Sequence, residues 1–168
     1  MRHTLALLSL ALGLAACGGD SDTTTTVSTA DGDVAVTTSR DGQSTVTVKG
    51  SDGSGITIDA GATSWPADAP AHAPPYPGGT ITGAMKSVGK GTTGSQVIFE
   101  TGDAPASVIA FYKQRAEKAG LPEQATLTNA TTALYSAGAN NGPSIIIQAS
   151  TEAGKTTAVL TFGNGVAG

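Results

Sequence analysis

Three Asp-Gly pairs, Asp31-Gly32, Asp41-Gly42 and Asp52-Gly53, stand ten and eleven residues apart, and each precedes a short run of alternating β-branched residues. The runs are Val34-Ala35-Val36, Thr45-Val46-Thr47-Val48 and Ile56-Thr57-Ile58. Successive side chains of a strand point to opposite sides, so the apolar residues of each run share one face and the threonines take the other. Asp-Gly supplies the positive φ that tight hairpin turns require. The pattern predicts a three-stranded β meander over residues 31–61. Its apolar face is thin, and a small isolated meander is marginal, so it must pack on something.

The same aspartates raise calcium as an alternative. A calcium loop gathers six or more oxygens and closes its shell with a bidentate carboxylate. Asp41-Gly42-Gln43-Ser44 has no closing acid, and the glycine-aspartate nonapeptide of calcium solenoids is missing. Turn chemistry accounts for these residues, and no metal site is expected.

Next comes a proline-dense stretch, Trp65-Pro66-Ala67-Asp68-Ala69-Pro70-Ala71-His72-Ala73-Pro74-Pro75-Tyr76-Pro77-Gly78-Gly79. Proline lacks the donor that a helix interior or a central strand needs, so residues 62–79 are expected to form an extended connector between two structural units. His72 has no second histidine, carboxylate pair or nucleophile near it in sequence. It reads as a solvated linker residue whose loss changes nothing.

Residues 80–168 carry more conventional signals. Thr80 to about Val88 and Gln96-Val97-Ile98-Phe99-Glu100 read as a β-hairpin around a glycine-rich loop. That loop, Gly89-Lys90-Gly91-Thr92-Thr93-Gly94-Ser95, does not fit a phosphate loop. Phosphate binding needs Lys directly before Ser or Thr at the start of a helix, where amides and the helix dipole converge. Asp103 is expected to cap one helix, with Pro105 in its first turn, Lys113, Arg115 and Lys118 toward its negative end, and Gly120 as its stop. Val108, Tyr112, Ala116 and Ala119 keep the three-and-four spacing of a buried stripe, which makes Tyr112 a core residue rather than a catalytic phenol. Short strands around Leu127, Leu134, Ile146 and Val159 follow. The expected fold class is α+β, one helix packed on an antiparallel sheet of about five strands in the order β-β-α-β-β-β, preceded by the separate meander.

The N-terminus sets the address. Met1-Arg2-His3 precedes a run of about ten residues, Leu5 to Leu14, dominated by Leu and Ala. That is the length of a signal-peptide apolar region, whereas a membrane-spanning helix needs roughly twenty residues. Leu14-Ala15-Ala16-Cys17 resembles the lipobox of bacterial lipoproteins, cleaved just before a cysteine that carries diacylglycerol on sulfur. The resemblance implies a signal peptide over residues 1–16, an acylated Cys17 as mature N-terminus, and lipid as the membrane partner. More than one acyl chain gives stable anchoring where a single chain gives marginal binding. Cys17 is the only cysteine, so no disulfide can form. Gly18 follows it, and lipoprotein sorting commonly reads that position, with Asp there favouring the inner membrane, so outer membrane facing the periplasm is expected. Gly18 to Ala30, with its Thr23-Thr24-Thr25-Thr26 run, has too little apolar surface to offset the entropy of ordering it. It reads as a flexible tether holding the domain clear of headgroups.

Pro75-Tyr76-Pro77-Gly78, Val97-Ile98-Phe99-Glu100-Thr101, Val108 to Tyr112 and the Ala119-Gly120 stop look like the pattern of small periplasmic lipoprotein domains. The topology also resembles the helix-grip domains of an outer-membrane assembly lipoprotein, although Leu121 stands where a tryptophan often follows the helix-stopping glycine.

Charge narrows the function classes. The net charge is −4 and the basic residues are scattered, with no basic stripe and no aromatic interleaving to grip phosphates, so nucleic acid is not an expected partner. A non-catalytic interaction or structural module ranks first, its sheet face or edge engaging an envelope protein, the membrane or the cell wall. A periplasmic small-ligand carrier using a helix/sheet groove ranks second, and it requires an apolar pocket with converging polar groups. An enzyme ranks last, because catalysis needs a matched nucleophile and base. No cofactor is expected. Glu100 and Asp103 are close in sequence, but Asp103 is already used as a cap.

Overall fold

Each alternating run becomes a strand, and the strands join one sheet. The computed structural model describes residues 22–39, 44–60, 64–89, 92–139 and 142–164. The strands are β1 (Thr23–Thr29), β2 (Gly32–Thr38), β3 (Ser44–Gly50), β4 (Gly55–Ala60), β5 (Thr80–Val88), β6 (Thr93–Thr101), β7 (Glu123–Thr128), β8 (Thr132–Gly138), β9 (Pro143–Glu152) and β10 (Lys155–Asn164), with the helix α1 (Pro105–Lys118) between β6 and β7. They form a single antiparallel ten-stranded sheet in the order β1-β2-β3-β4-β5-β6-β10-β9-β8-β7. This overturns the expectation of a helix on a five-stranded sheet. The meander is not a separate unit, because β4 pairs with β5 from Gly55↔Val88 to Ala60↔Gly83. An unpaired β5 edge would leave a row of backbone donors and acceptors without partners, and β4 supplies them.

The tether reading changes as well. Thr23–Thr29 forms β1, with Val27 opposite Val34 and Thr25 opposite Val36. β-branched threonine fits a pleated strand once a neighbour is there to pair with. Residues 1–21 and 165–168 lie outside the described residues, and so do the signal peptide and Cys17.

The helix packs on one face of the sheet over β7–β10, and that side of the whole sheet is called here the helix face. Directly opposed residues of paired strands point to the same side. Val97, Phe99, Ala158, Leu160, Phe162, Ile145, Ile147, Ala133 and Tyr135 therefore share the helix face, and all are buried. Val108, Tyr112 and Ala116 of α1, all 0% exposed, pack onto them, while Ala119, the fourth residue of the expected stripe, is the C-cap and is exposed. α1 ends in a Schellman motif. The Leu121 amide donates to the Ala116 carbonyl and the Gly120 amide to the Glu117 carbonyl, while Gly120 takes φ +70°. Leu121 is buried beneath this turn, the hydrophobic contact that accompanies the motif.

The N-cap is Ala104 rather than Asp103, with no side-chain capping hydrogen bond. Pro at the first helical position offsets part of that loss, since one unpaired donor is absent. Asp103 is engaged elsewhere.

Candidate functional site

The proline-dense stretch does not stand between two bodies; it folds back over the helix face. Ala73 is fully buried and Tyr76 is 8% exposed. Tyr76 stacks on Phe99 with ring centroids 5.6 Å apart and meets Phe111 edge-on at 5.0 Å. Its hydroxyl donates to Asp103 Oδ2 at 2.7 Å, which is why Asp103 does not cap the helix. Burial first, and this carboxylate second, push the Tyr76 phenol up to about 12, so it stays a neutral donor. The Tyr112 hydroxyl donates to the Pro74 carbonyl at 3.0 Å, and the Trp65 indole donates to the Ala73 carbonyl at 3.0 Å. The carbonyls that prolines leave unpaired in an extended chain are satisfied by aromatic side chains.

Beneath the connector, on the helix face of β3–β6, lies a cleft of about 370 Å³ walled by Thr45, Asp59, Trp65, Asp68, Lys86 and Ser95. A second cleft of about 160 Å³ shares Asp68, Lys86 and Ser95 with it and adds His72 and Phe162. The Lys86 ammonium pairs with Asp68 between them, and this hydrogen bond is the main cause holding the Asp68 carboxyl below its usual range. Asp59 accepts a hydrogen bond from the Thr45 hydroxyl at 2.8 Å. The walls therefore combine one aromatic face, two carboxylates and one ammonium. Such a set can hold a small polar ligand with a flat or apolar portion. At the interface between α1 and the sheet, Tyr112, Tyr135 and Ile147 are each 0% exposed.

His72 is buried, 9% exposed, where a solvated linker residue was expected. Its Nε2 finds no hydrogen-bond partner among the described residues. Burial lowers its pKa from the usual 6.5, and a backbone hydrogen bond at Ser144 opposes that only in part. The folded protein thus holds a neutral imidazole while the unfolded chain titrates normally. The stability this contributes is complete above the unfolded pKa and is lost as pH falls through the folded value. Melting temperature is expected to drop between pH 7.5 and 5.5 in the native chain and to drop less in His72→Phe; equal slopes would contradict this burial.

Glu100 and Asp103 are not brought together. Glu100 pairs with Lys155 at 2.6 Å on the other face of the sheet, while Asp103 binds Tyr76. Lys90 of the glycine-rich loop lies outside the described residues, and a strand, not a helix, follows it at Thr93. Among the described residues no cluster of His, Cys, Asp and Glu is arranged to hold a metal. Sequence reasoning missed the cleft, whose signal was the concentration of Trp65, His72 and Tyr76 in an otherwise small-residue connector.

Comparison with curated proteins and with solved structures gives no match. Residues 81–157, from β5 through α1 to the start of β10, match the family model described as START domain-like, in line with the helix-grip resemblance of this half of the chain.

Proposed function

We propose that the chain is a non-catalytic binding module, held at an envelope membrane by lipid on Cys17, that takes a small ligand in the cleft under the connector. The observation carrying this reading is the cleft itself, walled by Trp65 and Asp59 and, from the segment that matches the START domain-like model, by Lys86 and Ser95. Its volume of about 370 Å³ is near the lower end for small-molecule sites. The lipobox supports the anchor, and Gly18 after the cysteine supports the outer membrane.

Trp65 is the only tryptophan, so its emission reports on the cleft alone. Native mass spectrometry of the chain extracted from membranes is expected to show a retained small molecule, lost in Asp59→Asn and Trp65→Phe. Mass analysis of the N-terminal peptide is expected to show acylated Cys17. Absence of any bound molecule, with Trp65 emission unmoved across a panel of polar metabolites, would rule out the carrier reading.

A second reading, an interaction module for an envelope protein, is favoured by β1. This edge strand is exposed along all seven residues and carries no charge, proline or bulge to block pairing with a strand of a partner. Cross-linking in intact cells that traps a repeated protein through β1 would favour it.

A further inference from the structure

The face of the sheet opposite the helix is apolar and uncovered across β1–β5. Val27 opposes Val34, Val34 opposes Val48, and Val48 opposes Ile56. A second row runs from Val36 through Val46 and Ile58 to Met85. Val27, Val36, Val48, Ile56 and Ile58 are 39–50% exposed. The strand registers place every charged side chain of β2–β5, Asp33, Lys49, Asp59 and Lys86, on the helix face instead. Exposure runs opposite to polarity in β4, where Ile56 and Ile58 are exposed while Thr57 between them and Asp59 after them are half-buried. Water alone does not favour that arrangement; a surface that accepts hydrocarbon does.

Area and reach decide between occupants. Eight apolar side chains, spaced about 4.8 Å across strands and about 6.8 Å along them, make a patch of roughly 260 Å². A stable interface with another protein or a second copy needs about 800 Å² on each side. A surface to which the chain is already tied needs less, because tethering raises its local concentration. β1 begins at Thr23, six positions after Cys17, a reach of at most about 20 Å. The residues expected to hold the domain clear of headgroups are largely spent in β1.

We infer that the open face of β1–β5 lies against the neutral lipid surface in which the Cys17 acyl chains are anchored. This rests on the proposed lipidation of Cys17. In this orientation the apolar rows face the acyl boundary, while the charged side chains of β2–β5 and the cleft under the connector face water. The contact is uncharged, so salt leaves it unchanged.

The test uses the full chain in vesicles of phosphatidylethanolamine and phosphatidylcholine, with Cys17 acylation first verified by mass. Since acylation consumes the only native thiol, single added cysteines can be labelled uniquely. Val36→Cys and Ile56→Cys carry an environment-sensitive fluorophore on the open face; Thr37→Cys and Thr57→Cys carry it on the helix face, and circular dichroism selects folded variants. Open-face labels are expected to be quenched several-fold more by lipid-borne nitroxide than by aqueous iodide, and helix-face labels the reverse, at low and high salt alike. Equal accessibility of the two faces would overturn the inference. So would open-face labels shielded from both quenchers, with disulfide-linked copies through Ile56→Cys, which is the signature of a dimer. If Cys17 proves unacylated, the anchor reading fails on the mass alone. The same quenching, read on chain in which Cys17→Ser removes the native thiol and added to vesicles, still judges the face, with lipid-phase quenching at Val36 and Ile56 supporting it and none overturning it.

Discussion

Tyr112→Ala is expected to lower the free energy of unfolding by about 3–5 kcal/mol, the range for removing a fully buried aromatic side chain. Tyr112 is 0% exposed and stands at the junction of three layers. Its ring meets Phe111 at 5.0 Å, and lies 6.3 Å from both Tyr76 and Phe99, while its hydroxyl holds the Pro74 carbonyl. Truncation would open a cavity between helix, sheet and connector that none of the three can close alone. Tyr112→Phe separates the contributions, since it removes only the hydroxyl and is expected to cost about 1 kcal/mol. Urea denaturation followed by far-ultraviolet circular dichroism measures both. A loss under about 1 kcal/mol for Tyr112→Ala would mean that the connector and helix do not share this contact.

Gly138→Ala is expected to cost about 2–5 kcal/mol, combining backbone strain with overpacking. Gly138 ends β8 with φ +147°, a conformation that side chains rarely adopt. A Cβ there would sit 2.7 Å from Ser144 Cα and 2.8 Å from the Pro143 carbonyl oxygen, so backbone rather than a side chain would have to move. The residue is also pinned at both ends, its amide donating to the Pro122 carbonyl and its carbonyl accepting from Gln124 Nε2, each at 2.9 Å. Gly154→Ala is the control. Gly154 has φ +80°, and a Cβ added there would meet nothing within 4 Å, so strain alone applies and a loss nearer 1 kcal/mol is expected. Thermal melts that rank the two variants equally would refute the packing at Gly138.

The alternation of β-branched residues and the Asp-Gly spacing determined β2, β3 and β4 within a few residues of their ends, because a period of two is local chemistry. The stripe Val108, Tyr112, Ala116 and the Gly120 stop determined α1 and its Schellman cap for the same reason. The Leu14-Ala15-Ala16-Cys17 motif remains a sequence reading, outside the described residues.

Tertiary structure alone decided the rest. Thr23–Thr29 has no apolar pattern of its own and becomes a strand because β2 offers it a ladder. The connector has proline where regular structure would need donors, and only the aromatic cluster of Tyr76, Phe99, Phe111 and Tyr112 explains why it folds back instead of extending. His72 looked isolated because its neighbours in space, Phe162 and the Ser144 backbone, are distant in sequence. The joining of β4 to β5 turned two expected units into one sheet, and with it carried the apolar face of β2, β3 and β4 on to Met85 of β5. Periodicity specifies which side of a strand is apolar; only the pairing of strands across the sheet decides which of those sides the helix covers and which it leaves open.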